Sequence, residues 1–240
     1  MKKNFKHYAT VAAAAALSLA LLTGCGTSGK VTKEAKAPSF GTAAGSILLS
    51  VNPEIELAYN YDGDVIDIKG INDDGKNVVQ NYSDYKGKDC DEVVNVLVRK
   101  IYESGYFEQT VGGKTKNIVL KVTGGSEYPN DKFLEDVAQG VRETVSSLGI
   151  ASNPMTIDGD DMEQNGYIGL EKAKELVLAQ LGLKEASFTD KSYELDDGVY
   201  ELEFMADGTA YDFEVDAVSG KVLEADYEHN DDWDDDADDI

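Results

Sequence analysis

An apolar run, Ile47-Leu48-Leu49, is followed almost at once by Asn52-Pro53 and then by alternating Ile55 and Leu57. Proline has no backbone N–H to give to a strand ladder. Inside such a run it marks an edge, a bulge or a break between strands. The apolar stretches on either side must enter a sheet while Pro53 stays out of the ladder. Residues 46–51, 54–60 and 65–71 are therefore three strand candidates, with Asp62-Gly63 as a tight turn between the last two. Asn72-Asp73-Asp74-Gly75 reads as a further turn.

Helical spacing begins after Asp89, which is placed to cap a helix, with Glu92 three residues on as its capping-box partner. Val93, Val94, Leu97 and Ile101 would face a core. Cys90 falls at the first helical position. A helix N-terminus can lower a thiol pKa, and the plainer alternative is a small apolar filler. Residues 118–122 read as another strand. Phe133, Val137, Val141 and Val145 recur every four residues, as on one face of a helix.

Residues 151–163 are polar and acidic and read as a linker. Asp158, Asp160, Asp161 and Glu163 invite a calcium-loop reading, but Met162 stands where a ligand is needed. Beyond it, Leu170, Ala173, Val177 and Leu181 outline a helix stopped by Gly182. Four strand candidates follow at 186–195, 199–206, 210–216 and 221–227. They are separated by Asp196-Asp197-Gly198, Asp207-Gly208 and Ser219-Gly220. The expected fold class is α+β, in two small domains, each an antiparallel or mixed sheet packed with helices, after a signal peptide and a flexible tether.

The ends of the chain are distinct from this body. Lys2, Lys3 and Lys6 precede an apolar stretch too short for a comfortable membrane span, as in an export signal. Leu22-Thr23-Gly24-Cys25 resembles a bacterial lipobox. That resemblance implies lipid on Cys25, cleavage before it and a cell-membrane location facing outside the cytoplasm. The division is then 1–24 signal peptide, 25–44 tether, 45–150 first domain, 151–163 acidic linker, 164–228 second domain and 229–240 acidic tail. The tail, dense in Asp, reads as solvated and self-repelling, with at most loose Ca²⁺ association. With a formal net charge of −24, binding to a phosphate backbone is excluded as a function class.

The stretch Ser50-Val51-Asn52-Pro53-Glu54-Ile55-Glu56-Leu57 resembles the extracytoplasmic middle domain of RsgI-like anti-sigma factors. The similarity continues through Asn60, Asp62-Gly63-Asp64, Val65-Ile66-Asp67-Ile68 and Ile71-Asn72-Asp73-Asp74-Gly75. It ends near Gly105-Tyr106 and Ile118-Val119-Leu120-Lys121-Val122. In that family an Asn-Pro between two strands can be a self-cleavage point. The resemblance therefore implies a candidate break between Asn52 and Pro53. Residues 164–228 resemble a PepSY domain, through Glu171-Lys172-Ala173, Tyr200-Glu201-Leu202-Glu203-Phe204, Tyr211-Asp212-Phe213-Glu214-Val215-Asp216 and Ser219-Gly220-Lys221-Val222-Leu223. PepSY domains occur in protease propeptides and cell-surface proteins, and some are thought to restrain peptidases.

No conventional catalytic constellation is expected. Of the two histidines, His7 lies in the export signal and His229 beside the acidic tail, which argues against Ser-His-Asp, Cys-His and zinc chemistry. No cofactor is expected. Asn52-Pro53 is different because it needs no outside catalyst. Ordinary Asn ageing uses the next backbone nitrogen as nucleophile, and Pro53 closes that route. The Asn52 side-chain amide could instead attack its own carbonyl carbon and expel the Pro53 nitrogen. The plain alternative is a proline that ends a strand. Asn153-Pro154 supplies an internal comparison. The expected function is an envelope-anchored lipoprotein that binds or senses, self-cleaving at Asn52-Pro53. The alternative is restraint of a secreted peptidase through residues 164–228. Expected partners are the membrane through Cys25 and an envelope polymer, a signalling protein or a peptidase.

Overall fold

The computed structural model describes residues 41–111, 113–188 and 193–229. The signal peptide, Cys25, most of the tether and tail residues 230–240 lie outside the described residues. Three consecutive antiparallel strands open the fold: β1 (Ala43–Ser50), β2 (Glu54–Asn60) and β3 (Val65–Gly70). Ile47, Leu49, Ile55 and Leu57 lie on one face, each fully buried, as strand alternation requires. At the turn between β2 and β3 the Asn60 side-chain oxygen accepts from the Asp62 and Asp64 amides, and Gly63 has φ +91°.

The cluster 72–75, expected as a turn, instead starts a short helix, α1 (Asp73–Val79), capped by Asn72. The longer α2 (Cys90–Glu103) buries Val93, Val94, Leu97, Val98 and Ile101. Its capping box does not form. The Asp89 side chain makes no cap hydrogen bond, and the Cys90 amide at the first helical position donates to the Gly63 carbonyl at 3.0 Å. Glu92 pairs with Lys88 at 3.2 Å instead. A 3-10 turn (Tyr106–Glu108) and a two-stranded ribbon, β4 (Thr110–Val111) and β5 (Lys114–Thr115), lead to β6 (Val119–Val122) and then α3 (Phe133–Leu148). Helices α2 and α3 share one core with the inward face of β1 and β2.

Residues 151–163 are not only a linker. Met155–Ile157 form β7, paired parallel to β6. The five-stranded sheet has the order β3-β2-β1-β6-β7, so β1 lies at its centre with an antiparallel neighbour on each side. The acids that follow close on themselves. The Asp158 amide donates to Asp161, the Asp160 amide donates to Asp158, and Asp161 pairs with Lys172 at 3.3 Å.

The second half is one helix on an antiparallel meander: α4 (Leu170–Leu181), then β8 (Tyr193–Asp196), β9 (Val199–Ala206), β10 (Thr209–Asp216) and β11 (Val222–His229), in sheet order β11-β10-β9-β8. Helix α4 ends in a left-handed Gly182, as expected. Asp197-Gly198 and Asp207-Gly208 both have positive φ at each residue, the two-residue hairpin geometry that matches strand twist. The architecture is α+β throughout.

Strand β6 is buried on both faces, which the apolar residues on either side of Lys121 reflect. Ile118 and Leu120 join the first core, and Val119 joins the second. Val111 and Ile157 also enter the second core, beside Leu176, Val177, Leu202, Phe213 and Val215. Polar contacts tie the halves together. The Asn117 amide donates to the Gln180 side-chain oxygen at 2.9 Å, the Gln180 side-chain nitrogen donates to the Thr115 carbonyl at 3.1 Å, and the Lys121 ammonium reaches the Val218 carbonyl. Burial pushes the Lys121 pKa down.

The second core is thus completed by residues outside 164–228. Three apolar side chains at about 2 kcal/mol each compare with the roughly 3–5 kcal/mol a domain of this size usually provides. A fragment of residues 164–228 is expected to show no cooperative thermal transition by calorimetry, whereas the full chain unfolds cooperatively. A sharp transition from the fragment would show the second core to be self-sufficient.

Candidate functional site: the junction between the first two strands

Strands β1 and β2 are in register up to Ser50 opposite Glu54, and Val51, Asn52 and Pro53 make the connection. The Val51 amide donates to the Pro53 carbonyl at 3.2 Å, and both residues are buried. Pro53 therefore sits outside the ladder. Asn52 has φ +70°, in the left-handed region. A residue preceding proline prefers extended backbone, so this conformation carries strain on the order of 1–3 kcal/mol.

Neighbouring segments hold the strained residue. The Asn72 side-chain nitrogen donates to Asn52 Oδ1 at 3.0 Å, and Asn52 Nδ2 donates to Gln109 Oε1 at 3.3 Å. Asn72 Oδ1 accepts from two backbone amides, Glu54 at 3.1 Å and Gly75 at 2.8 Å. The Ile71 amide donates to the Glu54 carbonyl at 2.9 Å. From the second half of the chain, Lys221 Nζ pairs with Glu54 Oε1 at 2.5 Å, with both side chains largely shielded. The residue after Pro53 is thus gripped from β3, α1 and the β10–β11 turn together.

This arrangement places an amide nitrogen, a strained backbone and a prolyl leaving group within two residues, with no titratable side chain needed as nucleophile. Asn153-Pro154 differs in backbone and surroundings. Asn153 is not among the described residues with left-handed φ, and its Nδ2 meets only the Met155 sulfur at 3.7 Å. Nor is that pair in a loose linker, since the Asn153 amide donates to Asn117 Oδ1 at 2.8 Å just before β7. Cys90, the other reactive group considered, is buried in the first core. Desolvation, aided by Asp91 and Asp89, pushes its thiol up to about 12, so it is a core filler.

The pattern of the anti-sigma factor RsgI-like central domain matches residues 44–174, more than half of the chain. The chain belongs to the RsgI-like family. A second match, to the peptidase propeptide and YPEB domain (PepSY), covers residues 167–226. The RsgI-like match runs past 150 through β7, in agreement with the place of that strand in the first sheet.

Among curated proteins, the anti-sigma-I factor RsgI of Bacillus subtilis is 26% identical over 114 residues, 45% of this chain and 29% of that protein. The anti-sigma-I factor RsgI7 of Acetivibrio thermocellus is 23% identical over 163 residues, 65% of this chain and 28% of that protein. RsgI4 of the same organism is 35% identical over 72 residues, 30% of this chain and 13% of that protein. The chain thus spans under a third of the length of these relatives. Among the described residues no helix is long and apolar enough to cross a membrane.

At this junction the residue types and order pointed to Asn52 and Pro53 but not to Asn72, Gln109 or Lys221. Asn72 carried a usable signal, an Asn followed by two acids as at a helix start. Gln109 and Lys221 reach the junction only through tertiary packing and leave no local pattern.

Proposed function

We propose that the chain is an extracytoplasmic sensing module, anchored by lipid on Cys25, in which Asn52-Pro53 is a self-cleaved joint. The observation that carries this reading is the position of the pair: a left-handed Asn52 in the three-residue connection that follows β1, the central strand of the sheet. In the reaction, Asn52 Nδ2 bonds to the Asn52 carbonyl carbon and the bond from that carbon to the Pro53 nitrogen breaks. One proton passes from Nδ2 to the proline nitrogen, and the shorter piece ends in a succinimide. No water, metal or oxidant enters.

Once cut, the piece ending at Asn52 would keep its place through ladders to β2 and β6 and through buried Ile47 and Leu49. The lipid would sit on that piece and the acidic body on the other. Force or local unfolding that frees β1 would then release the body from the membrane. The RsgI-like kinship favours a signalling protein as partner.

Two observations test the reading. Cys25→Ala should block both lipid attachment and removal of the leader, and a lipid-modified species from that variant would contradict the anchor. Washing membranes with denaturant should release a body beginning at Pro53 and leave the lipidated piece behind. A body that stays with the membrane after full unfolding would mean the chain is continuous.

A further inference from the structure

Amide side chains have two ends that differ in chemistry but hardly in shape, so which end faces which neighbour is decided by donors and acceptors. At Asn72 that decision is forced. Its oxygen accepts from the backbone amides of Glu54 and Gly75, neither of which can do anything but donate. Its nitrogen must therefore be the end that faces Asn52, and Asn52 must answer with Oδ1. The Asn52 nitrogen is then left on the side of Gln109, whose oxygen accepts from it. Two backbone N–H groups thus fix, through one intervening side chain, the orientation of the amide that would act as nucleophile.

Resting on the self-cleavage reading above, we propose that Asn72 is the positioning residue of that reaction. It contributes in two ways. It prevents the Asn52 amide from turning over, which would exchange the nucleophilic nitrogen for oxygen. Its N–H also points at Asn52 Oδ1, where negative charge gathers as Nδ2 gives up its proton, so the bond strengthens during the reaction. Gln109 has the lesser part. It is exposed, and water can accept from Asn52 Nδ2 in its place.

The same geometry provides a substitution that separates positioning from folding. In Asn72→Asp a carboxylate oxygen can still accept from the Glu54 and Gly75 amides and cap α1, but the carboxylate has no N–H to give. It would draw Asn52 Nδ2 toward itself and turn the amide over.

The full-length protein is prepared freshly as wild type, Asn72→Asp and Gln109→Ala. Appearance of the fragment beginning at Pro53 is followed by mass, and the folded state by thermal unfolding. Asn72→Asp is expected to unfold near the wild-type midpoint while its cleavage slows on the order of 10- to 100-fold. Gln109→Ala is expected to stay within roughly threefold of wild type. If the wild type cuts and Asn72→Asp cuts equally fast, the positioning role is wrong and the self-cleavage reading stands. If the wild type does not cut, both fall. A loss of cleavage in Asn72→Asp that only tracks a lost thermal transition would reduce Asn72 to a helix cap.

Discussion

Asn52→Ala is expected to give a single uncut chain, with no fragment beginning at Pro53 at any incubation time. The side-chain amide is the only nucleophile the proposed reaction has, so its removal eliminates the reaction instead of slowing it. Alanine also tolerates left-handed φ less well than asparagine, by roughly 1 kcal/mol, so a loss of cleavage could be blamed on a disturbed turn. Asn52→Gly separates the two effects. Glycine accepts φ +70° without strain, so although it also loses the bonds to Asn72 and Gln109, this variant should unfold at a higher midpoint than Asn52→Ala, yet be equally uncut. Cleavage persisting in Asn52→Gly would exclude the side-chain amide as nucleophile.

Gly75→Ala should destabilise the protein, against the usual sign. In an exposed helix the change stabilises by about 0.5–1 kcal/mol, because glycine is the poorer helix former. Here a Cβ on Gly75 would lie 2.0 Å from the Glu54 carbonyl oxygen and 3.1 Å from Asn72 Oδ1. Neither is the end of a flexible chain. The Glu54 carbonyl is held by the Ile71 amide, and the Asn72 oxygen by two donors. Helix α1 must back away from β2, at about 1–3 kcal/mol for overpacking of this kind. In a chain of this size that lowers the thermal midpoint by roughly 3–10 °C. Cleavage should slow as well, because the displaced groups are those that position Asn52. An unchanged or higher midpoint would show that α1 adjusts freely and does not grip the joint.

Local chemistry explains what could be read from the residues. The period-2 stretches became β2 and β9 with their expected ends, and the Asp-Gly pairs became tight hairpins. Gly182 stopped α4 because a left-handed C-terminal residue needs no partner elsewhere. What was missed depends on distant partners. Strand β7 is three residues among acids, and it exists because β6 offers it an open edge for parallel pairing. Asp89 makes no side-chain cap, and the first amide of α2 is met by the Gly63 carbonyl, which arrives from a turn more than twenty residues earlier. Val119 was expected in a strand and Ile157 in a linker; both lie in the first sheet, yet their side chains complete the second core. The joint shows the same division. Asn52 and Pro53 stand out by type and order, whereas Lys221 is recruited to Glu54 by the packing of the two halves.

The central claim is that one folded particle contains two polypeptides. Its most direct test is the mass of the freshly purified protein under native conditions and again after denaturation. The account predicts one particle in the native state and two chains after unfolding, the longer beginning at Pro53 and none beginning at Pro154. Their masses should sum to that of the uncut chain, rising by one water only as the succinimide hydrolyses. A single continuous chain after prolonged incubation of the folded protein would contradict the account and leave Pro53 as the end of a strand.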